Sequence, residues 1–158
     1  ALSLQNGRVM AGGRDTAADA AIRLAGGVNA ADGFSGYKPM TDEGVIAAAP
    51  DASFSRIYLL YPDPWPKRRQ QKRRFVSDEN VAALARVLRP GGELRFATDI
   101  DDYAGWALRR FLASPQFVWT AKTADDWRRP WEGWAATRYE AKARAAGRGS
   151  AYLTFRRQ

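Results

Sequence analysis

Two aspartates follow short apolar segments, at positions from which a carboxylate can act on a ligand. Asp63 comes after residues 56–61 and Pro62, and Asp99 directly follows residues 93–98. Both segments have the composition of strands in an alternating α/β pattern. In an open parallel sheet, ligands bind outside the carboxyl ends of the strands. If the two strands are neighbours, both carboxylates face one crevice, whereas either Asp alone is more simply a turn or cap residue.

The segment from Asp63 to Arg74 combines an aromatic ring with dense positive charge. After Trp65 it contains six cations and no acid. Two prolines stiffen it, so little conformational entropy is lost when it meets a partner. Trp65 offers a face on which a nucleobase can stack, and the cations can neutralise phosphates beside it. The alternative interpretation is a solvated basic loop.

Composition restricts the chemistry further. The chain has 158 residues, a formal charge of +8, no Cys and no His. Disulfides, thiolate metal sites and histidine general bases are therefore excluded. The positive charge favours a polyanionic partner, nucleic acid first and an anionic membrane second.

Size and hydropathy indicate the class of protein. The length suits one domain, and the apolar fraction of 46% can fill a core. The sequence shows neither a membrane-spanning run nor a signal pattern, which predicts a cytoplasmic protein without membrane partners. The oligomeric state is left open, with a monomer favoured.

Apolar patterning predicts the elements that position these residues. Residues 56–61 read as a strand buried on both faces, and further strands are predicted at 93–98, 117–122 and 150–155. Ser77 or Asp78 caps a predicted helix that the Leu-Arg-Pro-Gly-Gly turn at residues 88–92 ends. Further helices are predicted at 101–112 and 137–145. The inward residues are Val81, Leu84, Val87 and Leu88 in the first helix and Tyr103, Trp106, Ala107, Phe111 and Leu112 in the second.

Residues 1–44 have a different character. They are rich in Ala and hold 8 of the 14 glycines, without a strong apolar period. A helix is predicted near residues 16–24. Because nothing in this segment reads as a strand followed by a phosphate-type turn, we expect an atypical, poorly ordered or remnant segment, with a boundary at 44/45.

Several of these motifs resemble one family. Tyr-Pro-Asp-Pro-Trp-Pro-Lys at residues 61–67, followed by Lys-Arg-Arg at 72–74, is similar to the signature of the bacterial tRNA (guanine-N7)-methyltransferases. The resemblance continues through residues 88–99, Thr-Arg-Tyr-Glu at 137–140 and the final strand, and covers residues 45–158. The Pro-Gly-Gly turn is common to class I methyltransferases. The motif at residues 61–67 together with Thr-Arg-Tyr-Glu at 137–140 is specific to this family.

The resemblance implies a fold, a reaction and a set of site residues. The fold is an α/β, Rossmann-like class I methyltransferase sheet, of which residues 45–158 form the C-terminal part. The reaction transfers a methyl group from S-adenosylmethionine to N7 of a variable-loop guanine in tRNA. Asp63 corresponds to the catalytic aspartate, which also lies against the cofactor. Substrate-binding positions correspond to Lys67, Asp99, Thr137, Arg138, Tyr139 and Glu140, and the RNA-contacting stretch to Arg69, Lys72, Arg73 and Arg74.

Guanine suits a site without histidine. Its N7 carries an unprotonated lone pair, so attack on a sulfonium methyl group requires alignment and no base. A carboxylate can pair with the N1–H and N2 amino donors and leave N7 free. Asp63 or Asp99 is predicted to make this contact, and Trp65 to hold the extruded base.

The chain departs from the family pattern ahead of residue 45. The family carries there a first strand with a Gly-x-Gly turn and a second strand ending in Glu, which bind the cofactor. The glycines of residues 32–36 follow no predicted buried strand, and Asp42 is offset from the acid expected before Pro50. We therefore interpret residues 1–44 as truncated or out-of-frame rather than as a divergent working N-terminus, and predict weak cofactor affinity.

Two other functions compete with this interpretation. One is a non-catalytic basic RNA-binding module without a working S-adenosylmethionine pocket. The other is a class I methyltransferase with a different substrate, which the specific motif at residues 61–67 disfavours.

Overall fold

Two units of different architecture make up the part of the chain that the computed structural model describes, which is residues 2–5, 8–26, 28–29, 31–134 and 137–158. One unit spans Ala1–Pro50 and the other Asp51–Gln158. The dividing point therefore lies within a few residues of the 44/45 boundary that composition suggests.

The first unit is built on a small antiparallel sheet. Its strands are β1 (Leu2–Gln5), β2 (Arg8–Gly12) and β3 (Tyr37–Pro39), in the order β1-β2-β3. Helix α1 (Ala17–Leu24) follows β2, and α2 (Asp42–Ala48) follows β3. The helix predicted near residues 16–24 is confirmed.

The segment contains a strand that its sequence does not indicate. Strand β2 ends at Gly12, Gly13 follows it, and helix α1 then begins after Thr16, which caps the helix by accepting a hydrogen bond from the Asp19 amide. This strand carries little sequence signal, because Arg-Val-Met-Ala-Gly alternates only weakly between polar and apolar residues and ends in glycine.

The second unit contains a four-stranded mixed sheet. Its strands are β4 (Phe54–Leu60), β5 (Leu88–Thr98), β6 (Phe117–Trp119) and β7 (Ala151–Arg157), in the order β4-β5-β7-β6. Strands β4 and β5 are parallel, and β7 is antiparallel to both β5 and β6. The α/β fold class is confirmed. The strands preceding Asp63 and Asp99 are parallel neighbours, which is the condition under which both carboxylates were expected to face one crevice.

Helices connect these strands. A 3-10 helix spans Arg68–Arg73 and is called the basic helix below. The others are α3 (Asp78–Val87, capped by Ser77), α4 (Asp101–Ala113), α5 (Asp125–Arg128) and α6 (Arg138–Ala145). In the described part of the chain, none of the helices is long and apolar enough to cross a lipid bilayer.

The core lies between the sheet and helices α3 and α4. Tyr103 packs edge-on against Phe96 at 5.4 Å between ring centroids, and Phe111 stacks on Phe155 at 4.4 Å. The inward residues predicted for α3 are all buried, as are Tyr103, Ala107 and Phe111 of α4. Leu112 was predicted to face inward and is 55% exposed, because the buried stripe of α4 passes through Phe111 one position earlier.

Strand β4 is more exposed than its sequence predicts. It lies at one edge of the four-stranded sheet, and Tyr58 and Leu60 are exposed by 46% and 36%. A continuous apolar run is typical of a strand covered on both faces, whereas the exposure of Tyr58 and Leu60, which share one face, shows that this face is partly open to solvent.

The Pro-Gly-Gly motif forms an irregular entry to β5 rather than a turn ahead of the strand. Gly91 has φ of 76°, and a Cβ on Gly92 would lie 2.8 Å from the Arg89 carbonyl oxygen. The pairing of β4 with β5 shifts register opposite this point, between Phe54 and Arg56. Two glycines are needed here because one backbone is left-handed and the next is closely approached.

Candidate functional site

The two predicted aspartates lie beyond the same edge of the sheet, the edge at which β4 and β5 end. Leu60 of β4 is in register with Ala97 of β5, and the Tyr61 amide donates a hydrogen bond of 2.8 Å to the Ala97 carbonyl oxygen. Asp63 is exposed, and Asp99 is partly buried. Parallel pairing thus brings both carboxylates to what is called the carboxyl edge below.

Asp99 is engaged by an arginine that sequence reasoning missed. The Nε and Nη2 atoms of Arg148 lie 2.9 and 2.8 Å from Oδ2 of Asp99. The side chain of Asp99 is 17% exposed and that of Arg148 is 49% exposed. A guanidinium that presents two N–H donors to one carboxylate resembles the N1–H and N2 amino edge of guanine. Only the flanking glycines in Gly147-Arg148-Gly149 set this residue apart in the sequence.

The loop after β4 has an unusual backbone at two positions. Tyr61 and Trp65 have φ of 50° and 40°. Such conformations cost on the order of 1–3 kcal/mol for a bulky residue and persist only where the surroundings fix them. Tyr61 is fixed through its amide and through its hydroxyl, which donates a hydrogen bond of 3.0 Å to Ser150 Oγ. Trp65 is partly exposed, with the Arg73 guanidinium 5.1 Å from its ring centroid.

The basic helix presents most of its charge to solvent. The exposed cations are Lys67, Arg68, Arg69, Lys72 and Arg73. They lie next to Trp65 in the chain, so a flat ring and a charged surface adjoin the carboxyl edge. Their contact with RNA stays a prediction.

Arg74 differs from the other cations of this segment. Its side chain is 0% exposed, so it is not available for the RNA contact that its position in the motif implies. Its Nε donates a hydrogen bond of 2.7 Å to the Pro64 carbonyl oxygen, and its Nη2 pairs with Asp102. This correction follows from α4, which encloses the guanidinium between Tyr103 and Trp106.

The four residues at positions 137–140 divide into two pairs. The Thr137 hydroxyl caps α6 by accepting a hydrogen bond of 3.2 Å from the Glu140 amide, and Glu140 is buried. Arg138 and Tyr139 are exposed. The predicted direct substrate contact therefore suits Arg138 and Tyr139, whereas Thr137 and Glu140 hold the start of the helix.

Tyr139 connects α6 to the carboxyl edge. Its ring stacks on Tyr61 with centroids 6.3 Å apart and an angle of 20° between the planes. The Arg138 guanidinium donates a hydrogen bond of 3.2 Å to the Tyr139 hydroxyl and lowers the pKa of that group, while the charge of Asp63 acts in the opposite direction. Asp63 is thus close enough to Tyr139 to influence its ionisation.

Glu140 is a buried carboxylate with several donors. Trp134 Nε1 donates a hydrogen bond of 2.6 Å to one oxygen, and Arg144 donates one of 3.0 Å to the other. Burial acts to raise the pKa of Glu140, but hydrogen bonds from Trp134 and Tyr152 and the charge of Arg144 outweigh it, so the net pKa is lowered. Glu140 is therefore an anchor for the Trp-rich segment before α6.

The described residues do not form a complete cradle for S-adenosylmethionine. The glycine turn of the first unit is closed by its own chain, because a Cβ on Gly13 would lie 2.2 Å from the Phe34 carbonyl oxygen. The Thr16 hydroxyl donates to the Gly13 carbonyl oxygen at 2.8 Å and also caps α1. Within residues 51–158, the carboxyl edge offers Asp63 and Asp99, and Gly147 and Gly149 flank the Arg148 that pairs with Asp99. Among the described residues, no group of acidic side chains is arranged to hold a metal ion.

Comparison with known proteins gives the same family as the motifs. Three curated tRNA (guanine-N(7)-)-methyltransferases illustrate the similarity. That of Azorhizobium caulinodans is 58% identical over 113 residues, which cover 72% of this chain and 49% of that protein. That of Nitrobacter winogradskyi is 55% identical over 114 residues, covering 72% and 44%. That of Bradyrhizobium diazoefficiens is 57% identical over 113 residues, covering 72% and 48%.

The family match covers most of the second unit and a few residues before it. The chain spans about half the length of the curated relatives that it matches. A family model described as “Putative methyltransferase” matches residues 43–153, well over half of the chain. The chain therefore belongs to this methyltransferase family.

Proposed function

We propose that residues 51–158 bind the guanine and the adjoining RNA in a tRNA (guanine-N7)-methyltransferase that uses S-adenosylmethionine. One observation carries the proposal: parallel strands bring Asp63 and Asp99 to the carboxyl edge, beside the exposed basic helix. The names of the curated relatives support the same substrate. The partner is tRNA, and the compartment is that of tRNA, the cytoplasm.

Asp99 is the residue that we assign to guanine recognition. It is partly buried, so its hydrogen bonds compete less with water than those of an exposed carboxylate. It already accepts two N–H groups from Arg148, and guanine offers the same pair of donors through N1 and N2. Guanine binding at this carboxylate displaces Arg148 and leaves N7 on the opposite side of the base.

Asp63 is assigned to the reacting side of the base. It is exposed and near Tyr139, whose ring and the stacked Tyr61 ring bound the carboxyl edge. Because guanine N7 has a free lone pair, these groups need only orient the base and exclude water. The attack of N7 on the methyl group requires no proton acceptor, which agrees with a chain that has no His.

The basic helix supplies affinity for the RNA backbone. The four exposed cations of this helix and the preceding Lys67 neutralise phosphates, and Trp65 stacks on a base beside them. Such binding depends strongly on salt, since each phosphate contact releases a counterion.

A basic RNA-binding module remains a second candidate, and the closed turn at Gly13 favours it. That turn packs against Phe34 instead of leaving room for a cofactor. In this case the chain binds tRNA through the basic helix but has no complete site for S-adenosylmethionine.

One experiment separates the two candidates. The full chain is incubated with methyl-labelled S-adenosylmethionine and bacterial tRNA, and labelled N7-methylguanine is mapped by cleavage at that base. The methyltransferase proposal predicts labelling of the variable-loop guanine, and a loss of about a hundredfold or more in Asp63→Ala. Asp125→Asn is the control, because Asp125 is exposed, pairs with Arg129 and is not among the residues assigned to the site. Salt-dependent tRNA binding without labelling, or full activity in Asp63→Ala, contradicts the catalytic role.

A further inference from the structure

Arg73 and Arg74 are identical neighbours in opposite environments. Arg73 is exposed over the Trp65 ring, whereas the Arg74 side chain is fully enclosed. A motif alone assigns both to RNA binding. Their surroundings assign them different tasks.

Three kinds of contact surround the Arg74 guanidinium. Nε donates to the Pro64 carbonyl oxygen at 2.7 Å, and Nη2 pairs with the carboxylate of Asp102. The rings of Tyr103 and Trp106 lie 5.0 and 4.8 Å from the guanidinium carbon, within cation–π range. Arg74 therefore joins the loop after β4 to the first turns of α4, the helix that begins just after Asp99.

The neighbouring backbone reinforces this junction. Trp106 Nε1 donates a hydrogen bond of 2.8 Å to the Val76 carbonyl oxygen, and the Val76 amide donates one of 3.4 Å to the Tyr103 hydroxyl. Val76 thus holds both of the rings that lie against Arg74. The guanidinium has little freedom to turn towards solvent.

We propose that Arg74 is a positioning residue that sets the Asp63-Pro64-Trp65 backbone at the carboxyl edge. The Pro64 carbonyl belongs to the peptide that joins Pro64 to Trp65, so holding it restricts the backbone that carries Asp63 and Trp65. Trp65 has φ of 40°, a conformation that the surroundings must maintain. The importance of this geometry for methylation rests on the proposed function, but the contact itself does not.

Lysine cannot replace Arg74 in this role. A planar guanidinium lies between two rings and serves two acceptors with separate nitrogens, whereas an ammonium is one compact donor without a flat face. The phosphate-binding alternative is disfavoured because the Arg74 side chain is 0% exposed and its Nε and Nη2 atoms are already paired.

The test compares Arg74→Lys with Arg73→Ala in the full chain. Hydrogen exchange of the Tyr61 and Gln70 amides, which are hydrogen-bonded on either side of Asp63-Pro64-Trp65, reports loop order. tRNA binding over a salt series reports phosphate contacts. We expect Arg74→Lys to speed that exchange by about tenfold or more. In Arg74→Met, which also removes the charge, we expect the tRNA salt slope to be unchanged. Arg73→Ala should leave the exchange unchanged and reduce the salt slope by about one. A reduced slope in Arg74→Met or unchanged exchange in Arg74→Lys overturns the proposal.

Two further measurements separate this proposal from its neighbours. If Arg74→Lys does not fold, Asp102→Asn is tested instead; it removes the charge that pairs with Arg74 at a side chain that is 60% exposed. The same faster exchange is expected, and unchanged exchange again contradicts the proposal. If the parent methylates tRNA, Arg74→Lys should lower the rate constant at saturating tRNA without raising KM; the opposite pattern assigns Arg74 to RNA binding. A parent without methylation rejects the proposed function, while the exchange and binding results still decide the role of Arg74.

Discussion

The guanidinium of Arg148 forms an ion pair with the carboxylate of Asp99. Its Nε atom lies 2.9 Å and its Nη2 atom 2.8 Å from the same oxygen, Oδ2. The donor pair that Arg148 presents matches the one that guanine would present. The contact therefore gives Asp99 a partner in the free protein that a bound base must replace.

Removing Arg148 should relieve this competition. In Arg148→Ala, we expect KM for tRNA to be about two- to fivefold lower than in Arg156→Ala, because a partly exposed ion pair is worth up to about 1 kcal/mol. Arg156→Ala removes a different exposed cation, which lies on β7, and so controls for lost attraction to RNA. Steady-state methylation kinetics of both variants give the ratio. If KM is higher in Arg148→Ala than in the control, Arg148 supports substrate binding and does not compete with it.

Trp65 should contribute a stacking contact. Replacing it by Ala is expected to weaken tRNA binding by about fivefold or more, since base–aromatic stacking is worth about 1–3 kcal/mol. Trp65→Phe keeps a flat face and should retain most of the affinity. Titrations at fixed salt measure both variants. Equal loss in the two would mean that Trp65 acts through the backbone of its loop.

Glu140 should stabilise the fold in a pH-dependent way. Because its pKa is lowered below the usual 4.5, its contribution is complete above that value and is lost as the pH falls through the lower folded pKa. Glu140→Gln keeps the shape but loses the charge, and should reduce the free energy of unfolding at pH 7 by about 1–3 kcal/mol. Urea unfolding at pH 7 and pH 3 is the measurement. The difference between parent and variant should shrink at pH 3; a difference that is equal at both pH values would contradict the role of the ionised carboxylate.

Local patterns in the sequence were sufficient to predict the parallel pair, the fold class and the helices around the carboxyl edge. Strand β4, Ser77 and the start of α6 all carry signals within a few residues. What escaped prediction depends on tertiary neighbours. Arg73 and Arg74 differ only in what α4 places against them, and Arg148 finds Asp99 across a separation of 49 residues.

Two of the predictions from sequence are wrong about the burial of residues, although the type of element is right in both. The apolar run of β4 gives no sign that its strand lies at a sheet edge, because the same residues suit a covered strand. Leu112 continues an apolar stripe in the sequence, but α4 turns it away from the sheet. Periodicity specifies a face of a helix, and packing decides how far along the helix that face is covered.

The most direct test of the account asks whether Asp99 recognises guanine. Binding is measured for two synthetic tRNAs that differ only in the variable loop, one with guanosine and one with inosine, which lacks the N2 amino group. The parent should prefer guanosine by about tenfold, as expected for losing one donor to a charged acceptor, and Asp99→Asn should bind both equally. Equal binding of both tRNAs by the parent, or an unchanged preference in Asp99→Asn, would contradict the assignment of Asp99 to the guanine edge.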